Sequence, residues 1–205
     1  MNLTTDPALA GIVKPGWFVA EPVTVVGRDP AMDEPLRAAA AAMRARAESA
    51  ETTAAVRTMY KRVGIDPTKT RPSSEALLRR VRRGDELPRI NSLVDVINWC
   101  SLETQLPFGL YDLDHIQGHV ELRIGRDGEE YAGIRKDAVH VAGRLTLSDD
   151  QGPFGNPTSD SARTMVTTAT TRALVVIFCP ASLSQDELSR ALELTRLRIP
   201  NARFS

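Results

Sequence analysis

The chain has 205 residues, 42% of them apolar and 25% charged, at a formal net charge of zero, which is the make-up of one ordinary globular domain rather than a disordered or fibrous chain. Nothing approaches the roughly 18 uninterrupted apolar residues of a membrane span, and the opening "MNLTTDPALAGIVKPG" lacks the basic start and long apolar core of a signal peptide. The two cysteines, Cys100 and Cys179, sit inside apolar runs ("VINWC", "VVIFC"), so the expectation is a cytoplasmic protein with buried, reduced thiols and no zinc site.

Residues 1–33, rich in Pro and Gly, read as an irregular lead with one short strand in "GWFVAEPVTVV". Over 35–63 the positions Leu36, Ala39, Ala40, Met43, Ala47, Ala50, Ala54, Val56, Tyr60 and Val63 keep helical spacing, and Gly64 stops that helix. "GIDPTKTRPSS" is a loop because its prolines exclude helix. Ser73 or Ser74 then caps a short helix "EALLRRVRR", closed by Gly84. Asn91 is a good N-cap for a helix through about Gln105, with Leu93, Val94, Val96, Ile97 and Cys100 as its buried stripe.

Past Gly118 the period changes to two. "HVELRIG" puts Val120, Leu122 and Ile124 on one face, and Asp127-Gly128 signals a hairpin turn. "VHVAGRLTLSD" continues the strand pattern, and "QGPFGNPTSDS" is a loop. "ARTMVTTATTRALVVIFCP" reads as two β-rich runs, the second apolar enough for a central strand. Ser184 to Glu187 is a capping box that opens the last helix. Helices first and strands later predict an α+β fold, a mixed β-sheet flanked by helices in a single domain.

Charge is unevenly distributed. Residues 57–89 carry ten basic and four acidic side chains, a local +6 against −6 elsewhere. Such a segment is either a phosphate-backbone footprint or an arginine-rich solvated face, and it specifies no base. There is no GxSxG elbow and no Walker loop. His115 and His119 are four apart but off any evident helix, so they read as surface residues and not as metal ligands. Asp95, Asp112, Asp114 and Asp160 are either polar pocket groups or loop and cap acceptors. Residues alone leave the function open.

The segments "PSSEALLRR", "LPRINSLVDVINWCSL", "LPFGLYDLD..QG" and "DSARTMVTTATT" together resemble the editing and tRNA-binding domain of the phenylalanyl-tRNA synthetase beta subunit, its third and fourth B modules. They look closer still to free-standing single-domain relatives. The resemblance covers residues 57–180, about three fifths of the chain, and implies an α+β fold. It divides the chain into an N-terminal flank, residues 1–56, and an editing-like domain, residues 57–205. In the synthetase the module acts as a sieve that hydrolyses tyrosine wrongly attached to phenylalanine tRNA, using positioned water.

Carried over residue by residue, the resemblance implies that Asp95 and Asn98 match the family's "VD..N" and hold the helix against the sheet, with Asn98 bordering the substrate. Pro107, Tyr111 and Asp112 match the loop after the helix. Gly109 stands where the synthetase has a histidine implicated in editing. Asp160 is the acid nearest to the position of the family's pocket glutamate. Thr164, Thr167, Thr168 and Thr170 lie where the family has a strand entering the pocket. Asp160 and Thr168 are thus the candidate catalytic groups, orienting water beside an ester. Asn98, Pro107, Gly109, Tyr111, Asp112, Thr164 and Thr170 are the substrate-binding candidates, and Arg79, Arg80, Arg82 and Arg83 the RNA-binding ones.

The expected function is RNA binding with trans-acting deacylation of mischarged aminoacyl-tRNA, using no cofactor. The expected partner is tRNA or aminoacyl-tRNA, with no DNA and no membrane. The alternatives are a noncatalytic module that binds aminoacyl-tRNA or an amino acid, which the loss of the histidine favours, and a pocket reused for another small metabolite.

Overall fold

A computed structural model describes residues 1–46, 50–134 and 136–205. In chain order the elements are β1 (Leu3–Thr5), β2 (Val13–Glu21), α1 (Asp33–Ala45), α2 (Ala50–Arg62), α3 (Ser73–Arg82), α4 (Ser92–Thr104), β3 (Phe108–Asp112), β4 (Val120–Ile124), β5 (Glu130–Gly133), β6 (Lys136–His140), β7 (Leu145–Asp149), β8 (Gly152–Asn156), β9 (Ser159–Asp160), β10 (Ala173–Pro180), α5 (Gln185–Arg198) and β11 (Arg203–Phe204). Helices and the two larger sheets share one main hydrophobic core, with a small second cluster of Tyr131, Val139 and Val141, so the fold is α+β in a single domain, as the pattern predicts. No helix among the described residues is long and apolar enough to cross a membrane.

The strands form a five-stranded sheet in the order β1-β4-β7-β8-β9, a four-stranded sheet β11-β2-β10-β3, and a two-stranded ribbon β5-β6. Only the β1–β4 pair is parallel among these ladders. β10 is the central strand that its continuous apolar run predicts, with all eight residues buried between β2 and β3. α4 packs against β3 and α5, α1 and α3 against α4, and α5 against β2 and β10. The Asn91 side chain accepts from Val94 N, and Ser184 with Glu187 completes its capping box, so both helix starts stand where expected. Cys100 and Cys179 are buried and free.

The N-terminal lead is more ordered than its prolines suggest. β2 runs nine residues and pairs with β10 from Val13 to Ala20. Pro15 is tolerated because β11 pairs only with Ala20 and Glu21, leaving the other edge of β2 without a ladder at Pro15. Gly16 has its own reason: a Cβ there would lie 2.6 Å from Leu188 Cδ1, so glycine lets α5 settle onto the strand.

Six expectations fail. The loop read after the helix is strand β3 from Phe108 to Asp112, and most of the "QGPFGNPTSDS" loop is β8 and β9, because β10 offers β3 an antiparallel ladder and β7 offers one to β8. The helix over 35–63 is two helices, because Arg46 is extended (ψ 132°); Ala47 lies outside the described residues. α1 turns its buried stripe to α3 and α4, whereas α2 lies against β10, and one straight rod does not serve both directions. Neither Ser73 nor Ser74 caps α3: Pro72 holds the N-cap position without a side-chain bond, Ser73 Oγ donates to Pro157 O (3.4 Å), and Ser74 is buried. Asp127-Gly128 makes a turn but no hairpin between its flanking strands, since β4 pairs with β1 and β7 while β5 pairs with β6. The threonine run at 162–171 forms turns instead of a strand. Its hydroxyls bond locally, Thr167 N donating to Thr170 Oγ1 (3.0 Å) and Ala169 N to Thr167 Oγ1 (3.2 Å), a competition that Thr side chains win over a ladder.

Candidate functional site

A buried polar cluster lies where β3, β8 and β9 meet. Gly109 and Tyr111, two apart on β3, share a face. The Tyr111 ring is fully buried and stands edge-on to Phe154 of β8, with centroids 5.0 Å apart. Two glycines make room for it. A Cβ on Gly109 would lie 2.2 Å from Tyr111 Oη, and one on Gly155 would lie 2.4 Å from the same oxygen. Gly109 is therefore coupled to the neighbouring tyrosine, because a side chain at 109 and this tyrosine conformation exclude each other.

Asp160, on the short strand β9, faces that phenol. Although part of the residue reaches solvent, its Oδ1 is shut off from it. Neither Asp160 Oδ1 nor Tyr111 Oη completes a hydrogen bond among the described residues. Buried polar atoms are nearly always satisfied, so this unpartnered pair marks a candidate site. Burial pushes the Asp160 carboxyl up to about 7, an effect the Tyr111 hydroxyl partly offsets. Burial, and then the charge of Asp160, hold the Tyr111 phenol well above its ordinary value. Tyr131 of β5 is raised for the same two reasons.

Rigid surroundings fix Asp160. Its carbonyl accepts from Ile134 N (3.1 Å), and Ser161 N donates to Phe154 O (2.8 Å). Tyr131 Oη donates to Ser159 O and receives from Asn156 Nδ2 at 3.0 Å. The Asn156 side chain accepts from Thr158 N, Thr158 Oγ1 and Ser159 N, which locks the β8–β9 turn. Arg163 reaches back to Asp149 with two bonds of 2.9 Å and covers the Phe154 ring at 5.7 Å.

The remaining sequence-derived candidates scatter around this centre. Asp112 accepts from Thr170 Oγ1 (2.7 Å) and Asp114 N (3.1 Å), with His115 Nδ1 3.3 Å away, so it pins the end of β3 to the threonine turn. Asp112 N donates to Thr164 O (2.9 Å), which places Thr164 beside the cluster. Thr167 and Thr168 are exposed in the turn. Pro107 is buried and its carbonyl accepts from Phe178 N (3.0 Å). Asp95 is buried, accepting from Arg89 Nε (2.7 Å) and Ile90 N (2.8 Å), and so holds the start of α4. Asn98 is half-buried and makes no side-chain hydrogen bond among the described residues. Tyr131, Ser148, Phe154 and Gly155 escaped the sequence reading. A glycine inside a strand was their one available signal, since it marks close backbone or side-chain approach.

Arg79, Arg80, Arg82 and Arg83 are all exposed at the C-terminal end of α3. Arg80 Nε donates to Glu86 O, Arg82 Nη2 to Arg46 O (3.2 Å), and Arg83 pairs with Asp85 at 3.1 Å. Arg79, Arg82 and Arg83 line, with Arg71, a depression of about 340 Å³. Glu75 there is already engaged by Arg57 and Arg71, whose guanidinium groups hold its carboxyl below its ordinary value. The other end of α3 touches the site: Ser73 Oγ and Tyr60 Oη (2.9 Å) both donate to Pro157 O in the β8–β9 turn. One ten-residue helix, about 15 Å long, thus separates that turn from the arginines.

A family model described as the B3/4 domain matches residues 55–196. The chain belongs to the B3/4 domain family. This B3/4 chain is 29% identical over 90 residues to the phenylalanine–tRNA ligase beta subunit of Paramagnetospirillum magneticum, covering 38% of the chain and 11% of that subunit. The corresponding subunit of Fusobacterium nucleatum is 31% identical over 88 residues, covering 42% and 11%. The match thus spans about a tenth of the length of these relatives. The fold is similar to that in the crystal structure of an N-terminal fragment of the phenylalanyl-tRNA synthetase beta-subunit from Pyrococcus horikoshii, with a TM-score of 0.51 at 12% identity over 99% of this chain and 50% of that one.

Proposed function

We propose that this B3/4 domain hydrolyses the ester of an aminoacyl-tRNA in trans, with Asp160 as the group that activates water. The observation that supports this most directly is the buried, unpartnered Asp160 carboxylate oxygen beside the Tyr111 hydroxyl. A carboxyl held at about 7 is close to half ionised at neutral pH, which suits a group that takes a proton and returns it. In the reaction Asp160 takes a proton from water as its oxygen attacks the ester carbonyl. The bond from the acyl carbon to the ribose oxygen then breaks, and the ribose oxygen leaves with the proton from Asp160. The arginines at the end of α3 meet the phosphate backbone, giving salt-dependent affinity.

The test is release of labelled amino acid from a panel of charged tRNAs. Release is expected to rise with pH about a midpoint near 7 and to vanish in Asp160→Asn. Release that survives this substitution removes Asp160 from the mechanism. A second reading, a binding module without turnover, is favoured by the complete burial of Tyr111 beside Gly109. It expects tRNA retention in low salt with no release from any species.

A further inference from the structure

A cavity of about 330 Å³ shares no lining residue with the Asp160 cluster. Three distant stretches wall it: the segment after β2, one face of α4 and the end of α5. Met32, Leu93, Val96, Trp99 and Ile199 give it a mostly apolar lining. Its walls are tied together by the chain itself. Ser92 N donates to Val26 O (2.8 Å) and Val26 N to Ser92 Oγ (3.0 Å), which joins the segment after β2 to the start of α4. The Trp99 indole donates to Glu103 (2.7 Å), and the Arg198 guanidinium stacks on its ring at 3.7 Å. Arg198 also donates to Glu103 at 2.6 Å, so its charge is matched. Asp29 is the one acidic residue of the lining, and it forms no ion pair among the described residues: its Oδ1 accepts from Ala31 N (2.9 Å).

We propose that this cavity binds a small aromatic amine, with its ring against Trp99 and Met32 and its ammonium group on Asp29. Size comes first. A cavity of about 150 Å³ takes one benzene ring, so this one takes a ring with a short side chain. An indole and a thioether in the wall both favour an aromatic partner. Charge then decides the polar end. The one cation of the lining is already held by Glu103, which leaves the carboxylate of Asp29 as the unmatched charge. An apolar pocket with a few convergent polar groups is the ordinary make-up of a small-molecule site. Because one wall comes from the segment after β2, the ligand ties the N-terminal flank to α4 and α5. The site does not depend on the ester-hydrolase reading above.

The test titrates the full chain with phenethylamine, phenethyl alcohol and hydrocinnamate, probes of similar size that differ in charge. Binding is read as a saturable change in tryptophan fluorescence and as a rise in melting temperature. The amine is expected to bind about 10-fold more tightly than the alcohol, the scale of one charge-assisted hydrogen bond, and the acid is expected not to bind. Asp29→Asn keeps the acceptor for Ala31 N and is expected to bring the amine down to the level of the alcohol. Trp99→Phe keeps an aromatic wall. It is expected to lose the fluorescence change and keep the rise in melting temperature, since the other tryptophan, Trp17, is not in the lining. No saturable binding of the amine overturns the proposal, as does equal binding of the three probes or an amine preference that survives Asp29→Asn. A fluorescence change that survives Trp99→Phe places the ligand elsewhere and overturns it too. Should Asp29→Asn fail to fold, the charge series on wild type decides alone.

Discussion

The Asp160 carboxyl couples stability to pH in a direction opposite to that of most acids. Its ordinary value is 3.8 and burial raises it to about 7 in the folded chain. Between those values the folded state holds a proton that the unfolded state has released. Stability is therefore greatest below about 4, falls as pH rises through the interval, and levels off above about 7. Three units at 1.36 kcal/mol each give a loss of about 4 kcal/mol from this group by pH 8. Partial contact of the residue with solvent makes that an upper figure. Asp160→Asn keeps the shape and removes the ionisation. Urea unfolding followed by circular dichroism at pH 5 and pH 8 reads the difference. Wild type is expected to lose up to about 2.7 kcal/mol across that range beyond what the variant loses, the two units from pH 5 to about 7, so the variant becomes the more stable protein at pH 8. Equal slopes for the two proteins would refute the buried, ionisable Asp160 on which the site rests.

The glycine cradle makes a second prediction. Gly109→Ala places a methyl group 2.2 Å from Tyr111 Oη and is expected to destabilise by about 1–3 kcal/mol, the cost of overpacking. In a Tyr111→Ala background the same substitution should cost far less, a non-additivity that thermal unfolding of the four proteins measures. For the basic end of α3, changing Arg79, Arg80, Arg82 and Arg83 to Glu is expected to abolish tRNA retention in low salt while leaving the circular dichroism spectrum unchanged. Retention by that variant would remove these arginines from the RNA surface.

Elements whose signal is local are legible in the amino-acid order alone. The eight-residue apolar run of β10 fits a strand buried on both faces, and Asn91 and Ser184 announce their helices through cap chemistry that needs three residues of context. Readings fail where a distant partner decides. Threonines at 164–170 have strand propensity, but no neighbouring strand offers them a ladder, and their hydroxyls close turns instead. Asp127-Gly128 has hairpin chemistry, yet β4 finds its partners in β1 and β7. At the site, Asp160 is identifiable as an acid in the right region. The meaning of Gly109 is not, because it depends on Tyr111 and on Gly155, which lies 46 positions farther along the chain and is brought close only by the meeting of β3 with β8 and β9.

Pro157 carries a consequence for how this molecule assembles. Its carbonyl is gripped by Tyr60, 97 residues away, and by Ser73, 84 residues away. The turn that presents Asp160 therefore draws its order from helices made much earlier during synthesis. Contacts of such separation form late, since the intervening chain must first lose its freedom. Asp160 is thus expected to take up its position only after α2 and α3 have docked. Amide exchange in the β8–β9 turn should follow the opening of those helices as one cooperative unit, so that damage to α2, which reaches the turn through Tyr60, silences the site by letting that turn go.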